Sequence, residues 1–203
     1  VDLSKWHTEG VVSMQNAFAY AQQCQNMDIS GWNVQAVTDM RGAFKFSTFN
    51  ADLSQWKTLS LTALDAAFQG STFNEDINGW NVSAVTSLAY TFDSSQFNTD
   101  INSWNTGSVT SMKRAFSGGY NPDGTAERTP FDQPLTGWDV SKVADFTSAF
   151  ALSNFGKPLA DWVTTSAETT NWMFLHNVGY NDDLSKWDTG NLKSAQGMFA
   201  GAD

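Results

Sequence analysis

Apolar residues recur along this chain at fixed offsets from a tryptophan. Trp6, Trp32, Trp56, Trp80, Trp104, Trp138, Trp162 and Trp187 follow one another at intervals of 26, 24, 24, 24, 34, 24 and 25 residues. Twelve residues after each stands a Phe: Phe18, Phe44, Phe68, Phe92, Phe116, Phe150, Phe174 and Phe199. Three before each is Ile or Leu, and seven before are Phe49, Phe73, Phe97, Phe131, Phe155 and Tyr180. Five after, the residue is Val11, Val37, Leu61, Val85, Val109, Val143, Ala167 or Leu192, and eight after it is usually Met, Leu or Phe. Self-similarity at this period is the signature of stacked repeats, and the fixed columns read as the core.

Within a repeat, Val85, Leu88 and Phe92 fall at i, i+3 and i+7, the spacing of one helical face. Ser83 and Ser141 stand where a helix N-cap belongs. Residues 74–80 are too few and too poor in helix formers for a helix and read as a short strand with flanking turns. The expected fold is therefore α/β, a leucine-rich-repeat-like solenoid of eight coils, each a short strand plus one or two helical turns. At the strand spacing it would be a rod of roughly 35–40 Å. Residues 1–203 read as a single repeat domain with an inserted loop at 117–130. Because the pattern runs into both ends without a polar cap, it is expected to be a segment of a longer array. Repeats six and seven, with Pro134 and Pro158 and with Ala167 and Thr170 in core columns, should be the least regular.

The stretch Phe73-Asn74-Glu75-Asp76-Ile77-Asn78-Gly79-Trp80-Asn81-Val82-Ser83-Ala84-Val85-Thr86-Ser87-Leu88, running on to Phe92, resembles a short repeat of bacterial surface lipoproteins related to BspA-like leucine-rich repeats. The resemblance extends over essentially the whole chain. It implies a solenoid on secreted or cell-surface proteins, linked to adhesion, with no catalytic residues.

Composition narrows the chemistry. The net charge is −10, with no basic cluster to neutralise phosphates, so nucleic acid and anionic membrane are poor partners. No run of about 18 apolar residues occurs, so no membrane insertion is expected. One cysteine, Cys24, excludes an internal disulfide and any multi-Cys metal site. The two histidines, His7 and His176, lie six repeats apart and cannot share a site. No phosphate-cradling glycine motif or HExxH is present, and the chain reads as non-enzymatic, with no cofactor and no metal. Asp2, Asp28, Asp52, Asp76, Asp100 and Asp183 form a column four before Trp, with Asn26, Asn50, Asn74, Asn98 and Asn181 two residues earlier. Stacked turns explain that column better than Ca²⁺, because the Gly-rich spacing of a Ca²⁺ loop is missing. Thr38, Thr62, Thr86 and Thr110 form a further rank, too short to match an ice lattice.

Docking residues are sought where the repeat leaves a position free. Ten after Trp the residue varies, which puts Tyr90, Arg114 and Trp172 on an exposed aromatic and cationic strip. The alternative for Trp172 is to fill the gap left by Ala167. The inserted loop adds Tyr120 and Arg128. The resulting expectation is an extracellular or cell-surface repeat domain that mediates adhesion or protein interaction, its partner a protein or glycan on a cell or matrix surface. A carbohydrate-binding module and a passive structural spacer are the alternatives.

Overall fold

The computed structural model describes residues 2–24 and 27–202; Asn26 of the Asn column lies outside the described residues. Nearly all of the chain is turn and irregular backbone. The only strands among the described residues are β1 (Gly119–Tyr120) and β2 (Ala126–Glu127), an antiparallel pair inside the inserted loop, with Gly119 opposite Glu127 and Tyr120 opposite Ala126. No helix is present among the described residues.

This overturns the solenoid of strand-plus-helix coils. The reason lies in where the backbone N–H groups go. In a helix the Phe92 amide would donate to Leu88, yet it donates to the Ala115 carbonyl one repeat later, at 2.9 Å. What replaces the helix is a run of overlapping β-turns. In the first repeat the amides of Ala17, Ala19 and Ala21 each donate three residues back, to Met14, Asn16 and Phe18. Every other turn puts a left-handed residue at its third position: φ is positive at Asn16 and Tyr20, at Gly42 and Phe46, at Ala66 and Gly70, and at Tyr90 and Ser94. Apolar residues four apart face inward in such a ribbon as they would in a helix, so the spacing did not separate the two. The segment at 74–80 likewise forms a turn, with Trp80 donating to the Ile77 carbonyl, and no strand. Ser83 and Ser141 cap nothing; their amides donate to Asn81 Oδ1 and Asp139 Oδ1 in two-residue Asx turns.

The repeats, called coils 1 to 8 after their tryptophans, stack through the amides the turns leave free. In coil 7 the amides of Thr170, Trp172, Phe174 and His176 donate to the carbonyls of Ser194, Gln196, Met198 and Ala200 in coil 8. The same alternate amides of coil 1 donate to coil 2, Met14 to Asp39, Asn16 to Arg41, Phe18 to Ala43 and Tyr20 to Lys45. These alternate ribbon N–H groups point toward the later coil, while amides beside the bridge run the other way, Ala63 donating to Thr38 and Ser194 to Glu168 of the earlier coil. Isolated parallel bridges accompany the ribbon, from Ser13 through Asp39 to Ala63 and from Ser87 through Ser111, Asp145 and Thr169 to Ser194. The bridge is missing between coils 3 and 4; coils 6 and 7, expected to be the least regular, keep it.

Side chains run in parallel with the backbone. Ring centroids in the Phe column stand 5.4 Å apart for Phe18 and Phe44 and 5.4 Å for Phe174 and Phe199. Each indole of the Trp column from Trp32 onward donates through Nε1 to the carbonyl three before the preceding Trp of that column, as Trp104 does to Ile77 at 3.0 Å. The Asn column bonds coil to coil: Asn74 N–H donates to Asn50 Oδ1 and Asn98 N–H to Asn74 Oδ1, both at 2.7 Å.

Candidate docking site at the last coil

Core columns are filled by large side chains in coils 1 to 6, and the filling fails at the far end. Five after Trp, coil 7 has Ala167; eight after, coil 7 has Thr170 and coil 8 Ala195, where earlier coils carry Met, Leu or Phe. The missing volume is an open cavity of about 260 Å³ lined by Ala167, Thr170, Leu184, Trp187, Met198 and Phe199 among others. Trp172 does not fill this gap, because its indole lies instead against Gly197 of the next coil. Thr170 is 2% exposed, lines the cavity and leaves its hydroxyl oxygen without a hydrogen-bond partner. A buried unpaired hydroxyl costs roughly 1–3 kcal/mol, so it offers an incoming group a polar contact in an apolar setting.

Two acids frame the rim. Asp182 accepts the amides of Leu159 and Ala160 at 2.7 and 2.8 Å, which ties coil 8 to coil 7. Its charge, after burial, is the second cause that pushes the Tyr180 phenol above its ordinary range. The Asp188 carbonyl receives the Thr164 hydroxyl at 3.0 Å. The coil that closes the cavity is itself uncovered: Phe199 is 51% exposed, whereas Phe44, Phe68, Phe116, Phe150 and Phe174 of its column are fully buried. In the same coil the amides of Ala195, Gly197, Phe199 and Gly201 occupy the donating positions of the ribbon and have no acceptor among the described residues.

The residues proposed from sequence lie elsewhere. Tyr90 and Arg114 are brought together, the guanidinium 5.8 Å from the ring centroid. Arg114 also holds Asp93 through Nε at 3.1 Å and Nη2 at 2.8 Å, while Gln69 donates to the other carboxylate oxygen at 2.8 Å. Burial pushes the Asp93 carboxyl up, against the pull of Arg114. This cluster stitches coils 3 to 5 together. Trp172 is 38% exposed and distant in sequence from it; Tyr120 and Arg128 are exposed on the hairpin loop. The column ten after Trp is a left-handed position in every coil, Asn16, Gly42, Ala66, Tyr90, Arg114, Ser148, Trp172 and Gly197 all having positive φ. The Asp column forms local turns, Asp28 accepting the Ser30 amide and hydroxyl at 3.0 and 2.7 Å. Among the described residues no group of three or more His, Cys, Asp or Glu could hold a metal ion. Among the described residues no helix is long and apolar enough to cross a membrane.

A family model described as a Mycoplasma protein of unknown function, DUF285, matches residues 1–94, 45–128 and 125–203. No curated protein and no solved structure matches the chain. The resemblance to BspA-like leucine-rich repeats is thereby corrected. With neither that family nor the leucine-rich-repeat architecture present, the reading as an adhesion domain, with its carbohydrate-binding and spacer alternatives, loses both of its supports.

Proposed function

We propose that this chain, which belongs to the DUF285 family, is a non-enzymatic binding module whose ligand enters the apolar cavity between coils 7 and 8. The observation that carries the reading is an apolar cavity between coils 7 and 8 lined by Thr170 of coil 7, whose buried hydroxyl is unpaired. The chemistry of the ligand follows from the lining. A small apolar group with one hydrogen-bonding atom for the Thr170 hydroxyl satisfies both. A hydrogen bond of this kind contributes roughly 0.5–1.5 kcal/mol, and apolar burial about 25 cal/mol per Å². The absence of a catalytic role is part of the proposal and rests on the six-coil separation of His7 and His176.

The cavity is tested with anilinonaphthalene sulfonate, a small aromatic probe whose fluorescence rises in apolar surroundings. The expected result is saturable binding, lost in Thr170→Leu, which fills the cavity and removes the unpaired hydroxyl, with the melting temperature maintained or raised. Binding that survives Thr170→Leu, or no saturable binding at all, overturns the reading.

A further inference from the structure

Two residues after Trp, a buried position alternates along coils 1 to 7: Thr8, Val34, Thr58, Val82, Thr106, Val140, Thr164. Each threonine reaches the coil that follows. Thr8 Oγ1 accepts the Asn33 amide at 2.9 Å. Thr58 Oγ1 accepts the Asn81 amide at 2.8 Å and donates to the Asn81 carbonyl at 3.1 Å. The Thr106 and Thr164 hydroxyls donate to the Asp139 and Asp188 carbonyls, both at 3.0 Å. Valine has no group for such a bond. The indoles keep the same alternation: Trp6 stacks on Trp32, Trp56 on Trp80, Trp104 on Trp138 and Trp162 on Trp187, with centroids 5.7 to 6.4 Å apart. Among the described residues no stacked pair joins Trp32 to Trp56, Trp80 to Trp104 or Trp138 to Trp162. The eight coils are thus four pairs, separated by three valine seams.

The seams loosen on the tryptophan side alone, since Phe44 and Phe68 still stack across the first of them at 5.3 Å. On that side the amides of Lys57, Asn105 and Val163, one after Trp in the coil that follows each valine, have no acceptor among the described residues. At the seam between coils 2 and 3 the opening is a slot of about 220 Å³ lined by Trp32, Asn33, Val34, Gln35, Gln55 and Lys57. Coils 1 and 4 flank it, so the slot is interior to the stack.

We infer that this slot is a binding site for a small organic carboxylate, separate from the cavity between coils 7 and 8. In a chain of net charge −10 its lining contains no acid. Lys57 makes no ion pair among the described residues. Asn33 uses its carboxamide oxygen on the Gln35 amide at 3.1 Å, which leaves its NH₂ to donate outward, and the carboxamides of Gln35 and Gln55 add further donors. An ammonium, a backbone amide without an acceptor and three carboxamides suit a carboxylate, whose bonds to charged donors are about twice as strong as neutral ones. Trp32 and Val34 supply an apolar wall for the rest of the ligand, which an inorganic oxyanion would not use. The other two valine seams lack this chemistry. The matching positions are Asn81, Ser83, Ser103 and Asn105 at one, without charge, and Asp139 and Asp161 among those at the other, which repel an anion.

Titration with sodium benzoate, followed by ¹H–¹⁵N chemical shifts, tests this. The expected result is saturable shifts at the Lys57 amide and at the Gln35 and Gln55 carboxamides, with the Asn105 and Val163 amides unmoved. Val34→Thr places at this seam the hydroxyl that closes the others, where it takes the Lys57 amide as Thr8 takes that of Asn33. It should weaken benzoate binding at least tenfold while the melting temperature is maintained. Lys57→Gln, on the surface, should weaken it comparably and keeps the test open if Val34→Thr does not fold. No saturable shift, shifts of equal size at Asn105 and Val163, or binding that survives these substitutions overturns the site. Sodium sulfate that binds there as tightly as benzoate overturns the organic carboxylate as its ligand.

Discussion

The indole of Trp172 lies so close over Gly197 that a Cβ at Gly197 would stand 2.6 Å from Cδ1 and 2.8 Å from Nε1. Both residues sit ten after their tryptophans, both are left-handed, with φ of 53° and 58°, and a side chain there reaches onto the coil that follows. Gly197→Ala is expected to destabilise by more than the roughly 1 kcal/mol of a left-handed alanine, because it meets the indole as well. In a double-mutant cycle with Trp172→Ala the excess disappears and the left-handed cost remains. The reverse change, Ala66→Gly, relieves a left-handed alanine at φ 55° and should stabilise by about 1 kcal/mol in chemical denaturation.

The aromatic columns differ in value by position. Phe116→Ala empties a fully buried site between Phe92 and Phe150 and should cost about 3–5 kcal/mol. Phe199→Ala in dilute protein should cost well under that, since half of the ring already faces water. Equal losses at the two positions would mean that coil 8 is covered in the monomer.

The sequence carried the stack better than it carried the backbone. Trp104 and Phe116 could be placed in shared columns because every repeat needs the same volume at the same offset. The ribbon was hidden because Leu88 and Phe92, four apart, satisfy a helical face as well as two consecutive turns. The signal that separates them was present in Asn16, Gly42, Gly70, Gly197 and Gly201, residues suited to positive φ at the alternate turns. It was obscured by Tyr90, Arg114 and Trp172 at the same positions, which read as a variable surface strip. Ala167 and Thr170 marked the weak place in the core, but what stands beside it depends on where the free amides point, and composition does not record that.

Arg114 neutralises a nearly buried carboxylate, Asp93, whose side chain is 5% exposed. Arg114→Met should destabilise by roughly 1–3 kcal/mol, discounted for the partial exposure of the guanidinium. With the folded carboxyl already held above its ordinary value by burial, the variant binds a proton more readily when folded than when unfolded. Its deficit is therefore smallest at acid pH and grows as pH rises through the folded value. A deficit independent of pH would assign the loss to packing.

The Asp column has the opposite sign. Bonds from the Ser two residues on hold the carboxyls of Asp2, Asp28, Asp52 and Asp183 below the ordinary value of 3.8. Their contribution is present above that value and is lost as pH falls through the lower folded ones, so melting temperature should drop in that acid window. Asp52→Asn keeps an acceptor for the Ser54 amide and should reduce the slope with little change at neutral pH.

Amide hydrogen exchange, resolved residue by residue, bears most directly on a stack whose alternate ribbon amides donate to the coil that follows. The account predicts slow exchange at Trp172, Phe174 and His176, whose amides cross to coil 8, and fast exchange at Gly197, Phe199 and Gly201, which have no acceptor among the described residues. Equal protection of the two rows would contradict it.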